Sequence, residues 1–315
     1  MDYLVTGGAG FIGSHLVERL VADGATVRVL DNFSTGKRAN LAPFLSRIEL
    51  IEGDIREAEA CARACHGVEV VFHEAALPSV PKSLADPVTT HDVNVNGTLN
   101  MLVAAREAGA RRFIYAASSS AYGETPTLPK VETIPPEPLS PYAVQKLLGE
   151  QYCQVFSRCY GLQTLSLRYF NVFGPRQDPA SQYAAAIPAF VTAILQGEPP
   201  VVYGDGEQTR DFTYVDNVVH ANLLGAAAKR TQGEVLNIGC GEHVSVNQVI
   251  REINRLLRRE VQPRYAPART GDIRDSWADI RLARRMLNYQ PTVGFAEGLS
   301  RTIDWYAKAS LCGIG

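Results

Sequence analysis

The sequence predicts an α/β fold, in which a doubly wound and mostly parallel sheet is joined to a smaller mixed α/β domain. The main observation is the alternation of short apolar segments with helical segments through the first half of the 315-residue chain. This alternation ends near residue 175, where Pro and Gly become frequent. The composition agrees, because 46% hydrophobic and 20% charged residues are ordinary for a protein with a large buried core.

Six segments of the first half have the apolar and β-branched composition of buried strands, and helical segments lie between them. Such alternation implies parallel strands, right-handed crossovers and helices on both faces of the sheet. Ligands of such a sheet bind at the carboxyl ends of its strands. The predicted strands are residues 3–6, 26–31, 48–54, 68–75, 112–118 and 164–170, and the predicted helices are residues 12–22, 56–65, 91–109 and 141–160.

The change of pattern along the chain predicts two domains. Residues 1–174 are expected to contain the parallel sheet, and residues 175–315 to form mainly the smaller domain. Turn-forming dipeptides such as Gly174-Pro175 and Pro199-Pro200 mark the second part. The apolar segment at residues 234–239 has the character of a strand, and we expect it to return to the main sheet.

Charge and cysteine usage disfavour several functional classes. A formal net charge of −2 argues against a nucleic-acid binder, which normally carries a basic face. The six cysteines form no C-x-x-C pair and no zinc-spaced cluster with histidine, so no metal site is predicted, and free thiols fit the cytoplasm. The N-terminus resembles no signal peptide, and no apolar segment approaches the length of a membrane span.

A glycine-rich segment, Thr6-Gly7-Gly8-Ala9-Gly10-Phe11-Ile12-Gly13, joins the first predicted strand to the first helix. Gly8-x-Gly10-x-x-Gly13 is the dinucleotide-binding fingerprint in its required context of strand, turn and helix. Its glycines let the backbone approach a pyrophosphate, which the free N–H groups of the helix N-terminus bind. A tight turn without a ligand is the alternative. We therefore predict a Rossmann-type domain with cofactor contacts from Gly7, Gly10, Phe11, Ile12 and Gly13.

Acidic residues after the second and third strands predict which dinucleotide binds. A carboxylate at Asp31 accepts hydrogen bonds from the adenosine ribose and repels a 2′-phosphate, which favours NAD over NADP. Lys37 and Arg38 follow closely and would weaken that selectivity, and a simple turn is the alternative. Asp54 is placed to meet the adenine, although Gly53-Asp54 is also a turn signal. The predicted adenosine contacts are Asp31, Asn32, Asp54 and Ile55.

Tyr142 and Lys146 lie four residues apart on a predicted helix and share one face. A tyrosine with its ordinary pKa of about 10 is a poor base, and a neighbouring ammonium lowers that pKa. An amphipathic helix surface is the alternative, because the pattern alone is common. The context favours catalysis, since Ser118-Ser119-Ser120 ends the fifth strand and a doubly wound sheet brings that strand end into the same cleft. A hydroxyl there can bridge a substrate oxygen and Tyr142, whereas the alternative is a serine-rich turn.

Further motifs resemble the extended short-chain dehydrogenase/reductase family, to which NAD-dependent epimerases and dehydratases belong. The resemblance covers about residues 2–306 and is closest to UDP-glucose and UDP-N-acetylglucosamine 4-epimerases. The motifs are Phe72-His73-Glu74-Ala75-Ala76 on the fourth strand, Asn94-Val95-Asn96-Gly97-Thr98 on the mid-chain helix, Leu167-Arg168-Tyr169-Phe170-Asn171-Val172-Phe173-Gly174-Pro175 on the sixth strand, and Gly204-Asp205-Gly206 with Arg210-Asp211-Phe212-Thr213-Tyr214-Val215 in the substrate domain.

The resemblance implies inversion of C4 of a UDP-hexose through a transient 4-keto sugar, with NAD as retained cofactor. Tyr142 is expected to take the proton of the C4 hydroxyl, and Ser118 to bind the C4 oxygen. Lys146 is expected to hold the nicotinamide ribose and to lower the pKa of Tyr142. The resemblance also adds Ala75 and Ala76 to the NAD contacts, and Ser119 and Ser120 to the sugar contacts.

Departures from the family pattern count against two related reactions. The 4,6-dehydratases carry an Asp-Glu pair after the catalytic Thr, which serves as acid and base in the elimination of water. This chain has Ser119 and Ser120 at that position. The UDP-glucuronate decarboxylases also tend to carry Glu there, so dehydration and decarboxylation are both disfavoured.

The resemblance also assigns the contacts to the UDP moiety. Arg210 and Arg269 match the two arginines that contact the diphosphate, and the planar guanidinium suits a phosphate better than an ammonium does. Asp272 matches the carboxylate on the uridine ribose, and Asn171 a contact near the diphosphate and sugar. For a single arginine, a solvated surface charge is the alternative. Lys82 lies in the sugar-facing segment at residues 77–82.

Ser276 predicts the sugar specificity, because in this family its position lines the pocket around the C2 substituent. Tyrosine is found there in enzymes restricted to UDP-glucose and UDP-galactose, whereas a small residue leaves room for an N-acetyl group. The segments Leu77-Pro78-Ser79-Val80-Pro81-Lys82 and Tyr183-Ala184-Ala185-Ala186-Ile187-Pro188 also resemble the N-acetyl-accepting branch. We therefore predict activity on UDP-GlcNAc and UDP-GalNAc alongside UDP-Glc and UDP-Gal.

Three other functions remain open at this stage: a non-catalytic NAD(P)-binding sensor, a nucleotide-sugar 4-ketoreductase and a UDP-glucuronate 4-epimerase. A sensor should lose Tyr142 or Lys146, and a ketoreductase should prefer NADPH, against which Asp31 argues. Family members are usually homodimers that pair the helices at residues 91–109 and 141–160 into a four-helix bundle. Leu99, Leu102, Val103 and Arg106 permit this assembly, and ordinary packing on the sheet is the alternative.

Overall fold

The structure is a computed structural model that describes residues 2–179, 186–268 and 273–311. The first part of the chain alternates strands and helices in the predicted order. Its elements are β1 (Tyr3–Thr6), α1 (Phe11–Ala22), β2 (Val27–Asp31), β3 (Ile48–Glu52), α2 (Ala58–Cys65), β4 (Val70–His73), α3 (Val80–Ala85), α4 (Pro87–His91), α5 (Gly97–Glu107), β5 (Arg112–Ser118), α6 (Pro141–Tyr160), β6 (Gln163–Tyr169) and β7 (Val172–Phe173).

The later part of the chain has shorter strands. Its elements are α7 (Ala186–Gln196), β8 (Val201–Tyr203), β9 (Thr209–Arg210), β10 (Thr213–Tyr214), α8 (Val215–Ala227), β11 (Glu234–Ile238), β12 (Val244–Ser245), α9 (Val246–Leu257), β13 (Arg264–Ala266), β14 (Asp275–Ser276), α10 (Arg281–Leu287) and α11 (Phe295–Leu311). Within the described ranges, no helix is long and apolar enough to cross a membrane.

The described residues form a seven-stranded sheet in the order β11-β6-β5-β4-β1-β2-β3, and every pairing in it is parallel. Thr6 pairs with His73 and Ser118 pairs with Tyr169, so the carboxyl ends of the central strands lie side by side. The predicted α/β fold with a doubly wound sheet is confirmed.

The strands are buried on both faces, as their nearly continuous apolar sequences predict. On one face, Val5, Phe72 and Ile114 belong to a core cluster that also includes residues of α1 and α8. On the other face, Leu4 and Val71 pack in a second cluster with residues of α2, α5 and α6. Each fully buried large apolar side chain stabilises the fold by about 1.5–3 kcal/mol. The core therefore fixes the sheet on which the site is built.

The helix predicted at residues 91–109 begins four residues earlier. Asp86 accepts a hydrogen bond from the amide of Thr89, and Pro87 occupies the first turn, both of which favour a helix N-terminus. A π-helical turn at Asp92–Asn96 joins α4 to α5. At its end, a Cβ on Gly97 would lie 2.6 Å from the side chain of Ile55, so only glycine permits this close approach to the loop after β3.

The smaller sheets lie in the later part of the chain. They pair β7 with β10 and β8 with β13, while β9 lies between β12 and β14. Phe173, Val191 and Ile250 belong to a third core cluster there. Strand β11 pairs with β6 of the main sheet. The division at residues 174 and 175 stays a prediction.

Candidate active site

The glycine-rich segment forms a tight turn between β1 and α1. Gly7 has a φ of +67°, and a Cβ there would lie 2.8 Å from the Cα of Ala75. A Cβ on Gly13 would lie 2.2 Å from the carbonyl oxygen of Gly7, so α1 packs directly against the turn. Gly10 caps α1 without a side-chain hydrogen bond, and Phe11 and Ile12 form the start of the helix. The exposed amides of this helix N-terminus suit a phosphate group.

Asp31 ends β2 beside this turn, and its carboxylate is held in a fixed orientation. One oxygen accepts a hydrogen bond from the amide of Ala9 at 2.9 Å, and the other accepts one from the amide of Phe33 at 2.8 Å. Burial raises the pKa of Asp31, which these two hydrogen bonds oppose. Lys37 pairs with Asp178, and Arg38 pairs with Glu52. Lys37 and Arg38, the two cations that follow Asp31 in the sequence, are therefore paired with other carboxylates.

Asn32 and Asp54 connect the ends of β2 and β3. The side-chain amide of Asn32 donates a hydrogen bond to Asp54 at 2.8 Å. Arg56 also binds Asp54, and its hydrogen bonds hold the pKa of that carboxyl at about 2. Ile55 is 6% exposed and packs behind them. The structure thus places three of the predicted adenosine contacts, Asn32, Asp54 and Ile55, at neighbouring strand ends.

Ala75 and Ala76 follow β4 and continue the same edge. The amide of Ala75 donates a hydrogen bond to the Thr6 hydroxyl at 3.2 Å. The Thr6 hydroxyl also bonds the ring of His73 at 2.8 Å. Through these contacts the fourth-strand motif lies against the glycine turn.

Ser118 and Tyr142 meet although they belong to different elements. Ser118 ends β5, and Tyr142 lies in the first turn of α6, which Ser140 caps and Pro141 begins. The Ser118 hydroxyl lies beside the phenol of Tyr142 and acts to lower the pKa of that phenol. Ser120 donates a hydrogen bond to the Ser118 hydroxyl at 2.8 Å, which leaves the proton of Ser118 available for Tyr142. Ser119 follows in the same short turn.

Lys146 lies beneath this pair and is 4% exposed. Its ammonium donates a hydrogen bond to the carbonyl of Ala116 at 2.8 Å and lies 5.1 Å from the centre of the Tyr115 ring. Burial lowers the pKa of Lys146 to about 8, because desolvation disfavours its charged form. The ammonium is therefore held against the carboxyl-terminal half of β5.

That Lys146 lowers the pKa of Tyr142 stays a prediction. Burial raises the pKa of Tyr142 to about 12, and the neighbouring Ser118 hydroxyl opposes that rise only in part. The Lys146 ammonium is directed to the carbonyl of Ala116, and the phenol is desolvated.

Four of the other predicted substrate contacts lie within the described residues: Lys82, Asn171, Arg210 and Ser276. Lys82 is exposed on α3, and Asn171 is exposed after β6 with a φ of +25°. Arg210 donates hydrogen bonds to the carbonyls of Thr209 and Arg274, and β9 pairs it in register with Ser276 of β14, which is 9% exposed. Arg269, Asp272 and residues 183–185 lie outside the described residues.

Sequence reasoning gave no role to two carboxylates that the structure places near the site. Asp211 accepts hydrogen bonds from the amides of Cys240, Gly241 and Ala278 at 2.8–3.1 Å, which ties β14 to the loop after β11. Glu74 accepts a hydrogen bond from Tyr169 at 2.7 Å. Both belong to family motifs, but only the folded chain shows what each carboxylate contacts.

The site can be compared with known proteins. The model of the NAD dependent epimerase/dehydratase family matches residues 3–239. A UDP-glucose 4-epimerase of Mycolicibacterium smegmatis is 38% identical over 314 residues, which cover 98% of this chain and all of that protein.

Two solved structures are similar over nearly the whole chain. The UDP-glucose 4-epimerase of Thermotoga maritima with UDP-glucose superposes with a TM-score of 0.94 at 40% identity, and the match covers 98% of this chain and 100% of that one. The UDP-N-acetylglucosamine 4-epimerase of Methanobrevibacter ruminantium in complex with UDP-N-acetylmuramic acid superposes with a TM-score of 0.93 at 40% identity, and covers 98% of both chains.

Proposed function

The chain belongs to the NAD-dependent epimerase/dehydratase family, and we propose that it inverts C4 of a UDP-hexose through a transient 4-keto sugar. The predicted resemblance to UDP-sugar 4-epimerases of the extended short-chain dehydrogenase/reductase family and the predicted cofactor NAD are confirmed. The reaction, its substrate and the residues that perform it are our proposal.

The position of the Ser118 hydroxyl beside the phenol of Tyr142 is the observation that carries the proposal. It brings two hydroxyls together at the carboxyl end of β5, with Lys146 on the floor beneath. A substrate hydroxyl that binds both groups can lose its proton to Tyr142 while Ser118 holds its oxygen. The arrangement thus supports reversible oxidation of a secondary alcohol.

The residues at the end of β1 and at the start of α1 fit NAD. Gly7 approaches Ala75, and Gly13 approaches the carbonyl of Gly7, so closely that neither glycine has room for a side chain, and this tight turn beside the free amides of α1 suits a pyrophosphate. Asp31 would bind the adenosine ribose. When bound, NAD supplies the acceptor of a hydride from C4. We propose that Tyr142 removes the C4 hydroxyl proton in one direction and returns a proton to the C4 oxygen in the other.

Lys146 would hold the nicotinamide ribose and keep positive charge near the reacting oxygen. Its burial makes that charge effective, because water screens it little. At a pKa of about 8 it remains mostly an ammonium at neutral pH. Because burial raises the pKa of Tyr142 to about 12, the phenolate must be stabilised by Ser118 and by positive charge in the site when NAD is bound.

Ser276 supports acceptance of both acetylated and unacetylated sugars. It is 9% exposed and pairs with Arg210 across two short strands. A hydroxymethyl side chain there leaves more room than a tyrosine would. Relatives of both kinds are found, one with UDP-glucose and one named for UDP-N-acetylglucosamine. We propose that Arg210 and Asn171, with Arg269 and Asp272, bind the UDP moiety, and that Lys82, Ser119 and Ser120 face the sugar.

We also propose a homodimer in the cytoplasm. Val144, Val155 and Tyr160 of α6 are 42%, 47% and 53% exposed, which is unusual for large apolar side chains on one helix. On the partner helix of the expected bundle, Leu102 is buried in the core. Light scattering of the wild-type chain and a Val155→Glu variant tests the dimer, since only the variant should be a monomer.

The free thiols of the described cysteines fit a reducing compartment, which supports the cytoplasm.

An isotope experiment tests the proposed reaction. UDP-glucose that carries deuterium at C4 is incubated with the protein, and the products are resolved by NMR. We expect UDP-galactose with the deuterium kept at C4, because the hydride leaves and returns within one site. Loss of the label to solvent, or a 4-keto product that accumulates with reduced cofactor, would mean a different reaction, such as net oxidation or reduction.

A further inference from the structure

Asp211 directly follows β9 of the three-stranded sheet β12-β9-β14, the small sheet, and the proposed reaction does not use it. Its side chain is fully buried. Burial raises the pKa of Asp211 to about 6, an increase that hydrogen bonds from three backbone amides oppose, so the group is a carboxylate at pH 8. A buried charge is costly unless hydrogen bonds satisfy it. The contacts of this carboxylate are therefore strong and specific.

The Asp211 carboxylate binds amides from two segments that are distant in the sequence. One oxygen accepts a hydrogen bond from the amide of Cys240 at 2.8 Å. The other accepts two, from the amide of Gly241 at 2.9 Å and from the amide of Ala278 at 3.1 Å. Cys240 and Gly241 follow β11 of the main sheet, and Ala278 follows β14 of the small sheet. The carboxylate therefore joins the two sheets through charge-assisted hydrogen bonds.

Gly239 leaves space for this carboxylate. A Cβ at position 239 would lie 2.6 Å from the Oδ2 atom of Asp211 and 2.9 Å from the Cβ of Ala278. Gly239 does not have a positive φ, so the close approach of Asp211 is what requires glycine here. The carbonyl of Gly239 accepts a hydrogen bond from the buried hydroxyl of Tyr289 at 3.0 Å. The end of β11 is thus shaped around Asp211.

The pairing within the small sheet is short, and Asp211 extends it. Strands β9 and β14 pair over two residues, with Arg210 opposite Ser276. The amide of Asp211 donates to the carbonyl of Ser276 at 3.0 Å, and its carboxylate binds the amide of Ala278 two residues further on. The guanidinium of Arg210 donates to the carbonyl of Arg274 at 2.9 Å, before Ser276 in the same strand segment. Asp211 thus holds in place the strand on which the Arg210 side chain rests.

The relative position of the two sheets matters for a substrate that contacts both. Ser118 ends β5 of the main sheet, where C4 of the sugar would react, whereas Arg210 on the small sheet would bind the diphosphate. We propose that Asp211 is a positioning residue that acts through Arg210, because it fixes the small sheet against the end of β11 and so sets where the UDP moiety binds. This inference rests on the proposed function, in which Arg210 binds UDP.

The affinity for free UDP tests the inference without any turnover, by calorimetric titration at pH 8. Asp211→Asn keeps the size of the side chain but replaces an acceptor oxygen with an NH₂ group, and we expect it to weaken UDP binding about tenfold. Gly239→Ala should weaken UDP binding similarly, since the new methyl group displaces the carboxylate. The affinity for NAD should stay the same in both variants, which also shows that the main sheet is folded.

A double-substitution cycle tests whether Asp211 acts through Arg210. Arg210→Ala should itself weaken UDP binding. In the Arg210→Ala background we expect Asp211→Asn to add a loss of less than about threefold, because residues that act through one another are not additive. If the two losses multiply in full, Asp211 acts independently of Arg210 and the inference is wrong.

Ile253→Ala controls for a general loss of stability. Ile253 is fully buried in the third core cluster, in the same part of the chain, so its truncation should lower Tm while the affinity for UDP stays the same. Unchanged UDP affinity in Asp211→Asn, or an equal loss in Ile253→Ala, would overturn the inference and leave the proposed function in place. A wild-type protein that binds no UDP would contradict the proposed function, and this inference with it.

Discussion

The hydroxyl of Ser118 lies beside the phenol of Tyr142, although one residue ends strand β5 and the other lies in the first turn of helix α6. Neighbouring elements fix both residues. The amide of Tyr142 donates to the hydroxyl of Ser83 at 3.0 Å, and Ser120 donates to Ser118. The sheet, the helix and the short helix α3 therefore converge on one pair of hydroxyls. The following predictions depend on that pair and on the cofactor turn beside it.

Removal of the Tyr142 hydroxyl should nearly abolish epimerisation. We expect Tyr142→Phe to lower kcat about 1,000-fold, because a general acid–base group contributes about 100- to 10,000-fold. Ser118→Ala should lower kcat by about 10- to 100-fold, since it removes one hydrogen bond to the reacting oxygen and to the phenol. Steady-state kinetics on UDP-glucose measures both. Tyr152→Phe is the control, because Tyr152 lies on the same helix but outside the site, and this variant should keep wild-type activity. If Tyr142→Phe keeps more than a tenth of the wild-type activity, Tyr142 is not the base.

Gly13 should tolerate no side chain. A Cβ there would lie 2.2 Å from the carbonyl oxygen of Gly7, so Gly13→Ala must displace the turn. We expect the free energy of unfolding to fall by about 2 kcal/mol and the affinity for NAD to fall at least about tenfold. Urea unfolding and NAD titration measure these effects. Gly294→Ala is the matched control because its Cβ would meet no atom within 4 Å, and equal effects in the two variants would contradict the account.

Asp31 should determine the choice between NAD and NADP. Its carboxylate is oriented by the amides of Ala9 and Phe33. Asp31→Ala should weaken NAD binding about 10- to 100-fold, as expected for hydrogen bonds to a charged group, and should relieve the repulsion of a 2′-phosphate. The ratio of the two dissociation constants, measured by fluorescence, should therefore move toward one. Asp23→Ala, which removes an exposed carboxylate paired with Arg19, should leave that ratio unchanged.

A tyrosine at position 276 should narrow the sugar specificity. We expect Ser276→Tyr to lower kcat/KM for UDP-GlcNAc at least about tenfold relative to UDP-Glc, because a ring would fill space near a bulky C2 substituent. Ser276→Ala should keep activity on both sugars, which makes it the control. If Ser276→Tyr lowers both values equally, Ser276 does not line the C2 pocket.

His73 should make the protein less stable in acid. It is fully buried between the hydroxyls of Thr6 and Thr98, and burial, with the charge of Lys146, lowers its pKa to about 3. The unfolded chain therefore binds a proton near pH 6.5 that the folded chain excludes. The stability that His73 contributes is complete above pH 6.5 and is lost as the pH falls through that value toward 3.

The size of this effect follows from proton linkage. Between pH 6.5 and pH 5, we expect His73 to account for a loss of about 1.5–2 kcal/mol in the free energy of unfolding. Urea unfolding of the wild type and of His73→Gln at both pH values isolates the contribution of His73 to this loss. The carboxylates titrate in both proteins, so their contribution cancels in the comparison. If the free energy of unfolding falls equally in the two proteins between these pH values, folding does not hinder the protonation of His73.

Sequence patterns predicted the parallel sheet because strands buried on both faces have continuous apolar sequences. They also predicted which side chains end those strands, among them Asp31 and Ser118. They predicted the start of the mid-chain helix less well, although Asp86-Pro87 is a recognisable N-terminal signal. The apolar periodicity begins only after this capped first turn, so periodicity alone places the start too late.

Long-range contacts set the properties that the sequence patterns could not predict. The direction of the Lys146 ammonium depends on the carbonyl of Ala116, thirty residues away along the chain. The pKa of Tyr142 depends on how much water the folded cleft excludes. The hydrogen-bonded chain from Asn222 through Tyr169 to Glu74 joins three distant segments, and local spacing gave no sign of it.

The most direct test of the central claim is incubation of the purified protein with UDP-GlcNAc, and separately with UDP-Glc, without added cofactor. NMR then resolves the C4 epimers. We predict that both sugars are converted to their C4 epimers, because in the proposed cycle NAD stays bound and no net oxidation occurs. If neither sugar gives an epimer, even after NAD is added, the claim that this site inverts C4 of a UDP-hexose is wrong.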